Sequence, residues 1–156
     1  MARLDQNFEQ INDSLNWWAD RYLEVQSWNA SSRPYYVVAR IPKNSTSNAF
    51  WGTMFVAGVG PLNYFSKGAW IVQVFARNGV FNLMVTELVA PGLSVEFGYY
   101  DGGDGYWYIG YHSRPYASSG SIFLVANHQD PARRVELLTP TPTTTAPSGW
   151  TEVAAS

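Results

Sequence analysis

The sequence predicts a mainly β protein: an antiparallel β-sandwich or jelly-roll head with a short N-terminal α-helical coiled-coil stem. Three observations predict it. Apolar residues near the start recur at heptad spacing, the middle of the chain is a series of short alternating runs cut by turn signals, and the end is rich in threonine and proline. These zones divide the chain into a helical stem over 1–28, a β head over 33–138 and an extended tail over 139–156.

The stem rests on Leu4, Phe8, Ile11, Leu15, Trp18, Tyr22 and Val25, which step by 4, 3, 4, 3, 4 and 3 residues. No glycine or proline interrupts them, and the other faces are polar (Asp5, Gln6, Asn7, Glu9, Gln10). A narrow apolar seam on a polar helix is what a coiled coil requires, and a helix lying on its own domain needs one apolar stripe as well. The seam reading makes these seven residues the oligomer contact. Aromatic rings at seam positions fit a two-stranded coil poorly, so three strands are expected.

The head is expected to hold about eight short strands, spaced as in all-β folds. They are read at Tyr35–Ile41, Phe50–Ala57, Ala69–Arg77, Val80–Glu87, Leu93–Tyr100, Tyr106–His112, Ser121–Asn127 and Arg133–Leu138. Asn78-Gly79 between two β-branched runs is a strong hairpin signal, and Pro91-Gly92 marks a break. No helical period lies between the strands, which argues against a parallel α/β sheet. In the tail, alternating Thr and Pro favour an extended chain, and Trp150 beyond it is a residue that would dock on its own head, dock on a neighbour, or fray.

Composition narrows the function. A net charge of −2 offers no basic footprint for nucleic acid, and no run is long enough for membrane insertion. The first residues, MARLDQNFEQ, carry acids and amides where a signal peptide needs an apolar run. With no cysteine, disulfides and thiolate metal sites are excluded. Charged residues are 14% and aromatic residues 16%, a balance that points to rings meeting a neighbouring subunit or a ligand.

The stretch YYDGGDGYWY, residues 99–108, is the one local cluster of polar and aromatic groups. It reads as a hairpin connection, glycine supplying positive φ and aspartate tolerating the turn. It also reads as a calcium loop, which would need further oxygen ligands from elsewhere. A third reading is a sugar-binding tip, and that one is compatible with the turn. Candidate ligand-binding residues are Tyr100, Asp101, Asp104, Trp107 and Tyr108 in this stretch, with Tyr64 and Tyr116 in other loops. In residues 106–112, Trp107, Ile109 and Tyr111 form one face of a strand, and Tyr106, Tyr108, Gly110 and His112 the other. Catalytic signatures are missing: two histidines, His112 and His128, stand outside any recognised motif, and no carboxylate pair is singled out. The chain is expected not to be an enzyme and to need no cofactor and no metal.

The order of the zones resembles a bacteriophage fibre or receptor-binding protein, in which a coiled stem carries trimeric β-sandwich heads. The local echoes are Tyr36-Val37-Val38-Ala39-Arg40-Ile41-Pro42 and Gly149-Trp150-Thr151-Glu152-Val153. There is no repetitive shaft, so the resemblance is to a short head fibre, a tail-tip knob or a capsid decoration protein. It implies a homotrimer on the virion surface, with other virion proteins and a host-surface glycan as partners. The alternative is a free carbohydrate-binding module or lectin-like adhesin.

Overall fold

The computed structural model describes residues 2–25, 31–59, 68–89, 95–114 and 120–156, with side chains described for these except 2–3 and 14–19. The chain is mainly β. Helix α1 (Ala2–Ala19) is followed by β1 (Tyr22–Val25), β2 (Tyr35–Pro42), β3 (Phe50–Val59), β4 (Gly68–Arg77) and β5 (Val80–Val89). Then come β6 (Glu96–Asp101), β7 (Tyr106–His112), β8 (Gly120–Asn127), a 3-10 turn (Pro131–Arg133), β9 (Glu136–Leu137) and β10 (Thr151–Val153). Every pairing between named strands is antiparallel. The first sheet has the order β1-β8-β3-β4-β5 and the second β10-β6-β7-β2-β9.

The two sheets share one core, giving a sandwich-like arrangement. Alternation turns Met54, Val56, Trp70, Val72, Val85 and Ile122 of the first sheet inward, all at most 2% exposed. Tyr36, Ile41, Phe97, Ile109 and Tyr111 of the second sheet, likewise at most 2% exposed, meet them. Trp70 reaches across to Phe97 with ring centroids 5.4 Å apart, and Phe81 to Tyr99 at 4.6 Å. Asn78 (φ 52°) and Gly79 (φ 77°) make the expected turn between β4 and β5, both in the left-handed region that such a two-residue loop demands.

The stem departs from expectation. α1 stops at Ala19, and Tyr22 and Val25 belong to β1, where they face opposite ways: Tyr22 is 37% exposed and Val25 is buried at 1%. A spacing of three places two residues on one face of a helix but on opposite faces of a strand, so the last seam positions cannot act as a seam. β1 is fixed by pairing with β8, and Arg21 O accepts the Leu124 amide at 2.8 Å. Within α1, Leu4, Phe8 and Ile11 are 56%, 62% and 57% exposed. They form an apolar stripe in solvent, and no coiled-coil stem is seen among the described residues. Leu15 and Trp18 fall in α1, with side chains outside the described residues. Pro91–Ser94 and Trp28 also lie outside them.

The C-terminal segment is bound to the head. Leu138 N donates to Val38 O, and Thr143 exchanges both backbone hydrogen bonds with Tyr35 at 2.7 and 3.1 Å. The chain then crosses the outer face of the second sheet, from the β2 edge to the far side of β6, where β10 pairs with it. Trp150 lands on Gly98, at which a Cβ would come within 2.5 Å of the indole. Beyond β10, Ala155 bridges Val85 of β5, and Ser156 exchanges backbone hydrogen bonds with Val85 and Glu87.

Candidate functional site

The outer face of the second sheet carries the chemistry. Cross-strand register puts Tyr100 opposite Tyr108 and Arg40 opposite Tyr108 on its other side. The Tyr100 and Tyr108 rings stack at 5.2 Å and 14°, and Tyr106 lies 6.5 Å from Tyr108. The Arg40 guanidinium sits 4.1 Å over the Tyr106 ring while its Nε donates to Glu136 Oε2 at 2.7 Å. Beside this row, Val37, Tyr100, Pro142, Thr143 and Pro147 line an open groove of about 650 Å³ between the sheet and the crossing segment.

The loop from Asp101 to Tyr106 is a hairpin turn. Asp101 Oδ1 accepts the Gly103 amide at 2.8 Å and its Oδ2 pairs with Lys43 Nζ at 2.5 Å. Asp104 accepts the Tyr106 amide at 3.2 Å and the Tyr108 hydroxyl at 2.6 Å. Gly103 (φ 73°) and Gly105 (φ 92°) take the conformations only glycine adopts freely. Both carboxyls are held below the usual carboxylate range, Asp101 mainly by Lys43 and then the Gly103 amide, Asp104 mainly by the Tyr108 hydroxyl. The same contact pushes the Tyr108 phenol up. The two aspartates thus shape the turn, and Asp104 holds the Tyr108 hydroxyl.

At the other end of the same strands lies a second cluster. Glu96 and Tyr35 flank His112 in register, and Glu152 enters from β10 opposite Gly98. The Tyr35 ring stacks on the imidazole at 3.9 Å and 4°, and Trp150 meets Tyr35 edge-on at 5.5 Å. His112 Nδ1 is 3.4 Å from Glu96 Oε2, which also pairs with the Arg33 guanidinium. Burial, then the Arg33 charge, lower the His112 pKa against the pull of Glu96 and Glu152. One ligand atom each from Glu96, His112 and Glu152 lies within 4.8 Å of the others, the one such group among the described residues. Arg33 occupies the carboxylate that a cation would need, so a metal would have to displace an ion pair.

The residues singled out from sequence separate here. Tyr100, Asp101, Asp104 and Tyr108 come together at one end of the β6–β7 hairpin. Trp107 points to the other face, packed between Phe81 (5.1 Å) and Tyr99 (5.9 Å) with Lys43 Nζ 5.1 Å over its ring. It belongs to the rim of the core. Tyr64 and Tyr116 lie outside the described residues. Tyr35, Arg40, Glu96, Tyr106, His112, Trp150 and Glu152 share the outer face and were not among the ligand-binding candidates. Period-2 alternation already grouped Tyr106, Tyr108 and His112; the partners from β2 and β10 required the strand pairing.

No protein-family model matches the sequence, and no curated protein matches it. Among solved structures, the chain is similar to WceF of Pantoea stewartii, described as a glycan biofilm modifying enzyme with a bacteriophage tailspike-like parallel β-helix fold. The likeness has a TM-score of 0.60 at 10% identity and covers 87% of this chain and 22% of that one. It is a likeness of fold alone, spanning about a fifth of that protein, which is described as a parallel β-helix, whereas every pairing between named strands here is antiparallel. It corrects one expectation. Reading the chain as a non-enzyme rested on missing sequence motifs, whereas its structural neighbour is described as an enzyme.

Proposed function

We propose that this chain is a virion-surface protein of bacteriophage fibre or tailspike type whose second sheet engages a host-surface glycan. The observation that carries the reading is the outer row Tyr100–Tyr108–Tyr106 with Arg40, Glu136 and a groove beside it. Sugar rings present apolar C–H faces that stack on aromatic rings, while a few fixed polar groups around them set orientation. The tailspike-like description of the structural neighbour supports the same reading. Assembly with other virion proteins belongs to this proposal, as does a homotrimer, which would multiply a weak contact through effective concentration. The test is calorimetric titration of the full chain with bacterial surface polysaccharides. Binding that falls at least tenfold in Tyr108→Ala, with the circular dichroism spectrum retained, is the expected outcome. Absence of binding across the polysaccharides would overturn the reading.

A second reading is favoured by the Glu96–Glu152 convergence. Two carboxylates about 5 Å apart suit retaining glycoside cleavage, and the ligand atoms here lie within 4.8 Å. In that reading the exposed Glu152 protonates the leaving oxygen as the glycosidic bond breaks, Glu96, oriented by Arg33, stabilises the positive charge that develops at the sugar, and water then adds to that carbon as Glu152 takes its proton back. Release of reducing ends from bound polysaccharide, abolished in both Glu152→Gln and Glu96→Gln, is the expected result. Unchanged release in either variant would reject this pair.

A further inference from the structure

The first sheet has an outer face with almost no charge on it. One register row runs across all five strands as Tyr22, Phe123, Phe55, Ile71 and Thr86. The next row is Thr53, Gln73 and Met84, with Val125 beside it at a register shift. Each of these residues alternates with a neighbour on the core side, buried in every case but Tyr22, whose neighbour Leu23 is partly buried against the core, so all point away from the core. Tyr22, Met84 and Val125 are 37%, 47% and 57% exposed. The charged residues that share this outward phase, Glu24 and Arg77, stand at opposite ends of the sheet.

We infer that this face is where copies of the chain meet. Five strands at their usual spacing and length cover a plan area on the order of 500 Å² before side-chain relief. Monomers rarely expose a contiguous apolar patch beyond roughly a few hundred Å², and a standard interface takes about 800 Å² of accessible surface from each partner. The face is thus at the upper end of what a monomer exposes, where such patches tend to be functional, and approaches what one side of a stable interface needs. Its lack of charge identifies the occupant. Where copies bring the same face together, across a two-fold axis or around a three-fold one, a face carrying one sign of charge repels its own copy. A face of Tyr, Phe, Ile, Met, Val and Thr avoids that penalty. A charged foreign partner would find no complementary group here.

The sheet alone carries the association. The opposite sheet, with Tyr100 and Tyr108, stays free. The inference stands on the first sheet alone, whether or not a glycan binds the second.

The test is solution mass by light scattering of the full chain and of the double variant Met84→Glu with Val125→Glu. Both positions are exposed within one subunit, so the charges cost the isolated fold little. The expected result is an oligomer that falls to single-chain mass in the variant while polysaccharide binding per chain is kept. A wild-type chain of single-chain mass, or a variant that keeps the full mass, would overturn the inference. Thiol labelling provides a readout that needs no disruption, because the chain has no cysteine of its own. Val125→Cys should react with a bulky maleimide at least tenfold more slowly than Thr145→Cys on the crossing segment. Equal rates would overturn the inference as well.

Discussion

His112 shows how much of the second sheet's behaviour is set by single contacts. Its ring is covered by Tyr35 and faces Arg33, and both effects disfavour the imidazolium despite Glu96 and Glu152. An NMR titration should place its midpoint below the ordinary 6.5. Arg33→Gln should raise it, because the second of the two lowering causes is removed. A folded-state pKa held below the unfolded value means that stability is fully present above about pH 6.5 and is lost as pH falls through the folded pKa. A flat melting temperature from pH 7 to pH 5 in a chain whose other histidine is replaced would contradict this. Gly98 is equally constrained. Gly98→Ala puts a methyl into the Trp150 indole and should cost about 1–3 kcal/mol in urea unfolding, the usual range for overpacking.

At the level of elements, strands β2 to β8 were legible because each is a run rich in β-branched and aromatic residues between turn residues, whereas the strand expected at Arg133–Leu138 shrinks to Glu136–Leu137 behind a 3-10 turn. The β4–β5 hairpin was legible for a sharper reason: Asn78-Gly79 is the pair that two consecutive positive φ values select. Gly79→Ala should therefore destabilise by about 1–2 kcal/mol, the usual penalty for a Cβ in the left-handed region, readable as a shift in the urea midpoint. The end of α1 was not legible. Asp20-Arg21 contains no glycine or proline, and Tyr22 and Val25 continue the 4-3 rhythm by coincidence while obeying the alternation of a strand. β10 was hidden by its length of three residues and by pairing with a strand more than fifty residues earlier. The composition of the site was hidden by β2. Its register shift between Val37 and Ala39 decides that Arg40 lies beside Tyr108, and nothing in YYVVARIP announces a bulge. Trp150, whose docking the sequence left open, ties β10 to Tyr35; Trp150→Ala should lower the thermal midpoint by several degrees without changing the β spectrum.

At the scale of the whole molecule, the core is unusually phenolic. Tyr36 and Tyr111 pack ring against ring at 5.3 Å between β2 and β7. Burial pushes the Tyr36 phenol up from 10 to about 12, and Tyr111 moves in the same direction by burial and then by the charge of Tyr36. These groups stay neutral in the fold while unfolded chains ionise them, so stability is fully present below pH 10 and is lost as pH rises toward the folded value. The melting temperature should fall from about pH 10 upward, and Tyr36→Phe should blunt that fall. The pairing of the first strand with the last long one has a different consequence, one of timing. β1, at Tyr22–Val25, is held only against β8 at Gly120–Asn127 within its sheet, and β6 receives its outer neighbour only when Thr151–Val153 arrives. The first sheet lacks a strand until β8 has been made, and the second until β10 has been made. Contacts this distant along the chain put folding in the millisecond-to-second regime, and until they close, the uncharged face of the first sheet is accompanied by unpaired strand edges that chaperones would have to shield.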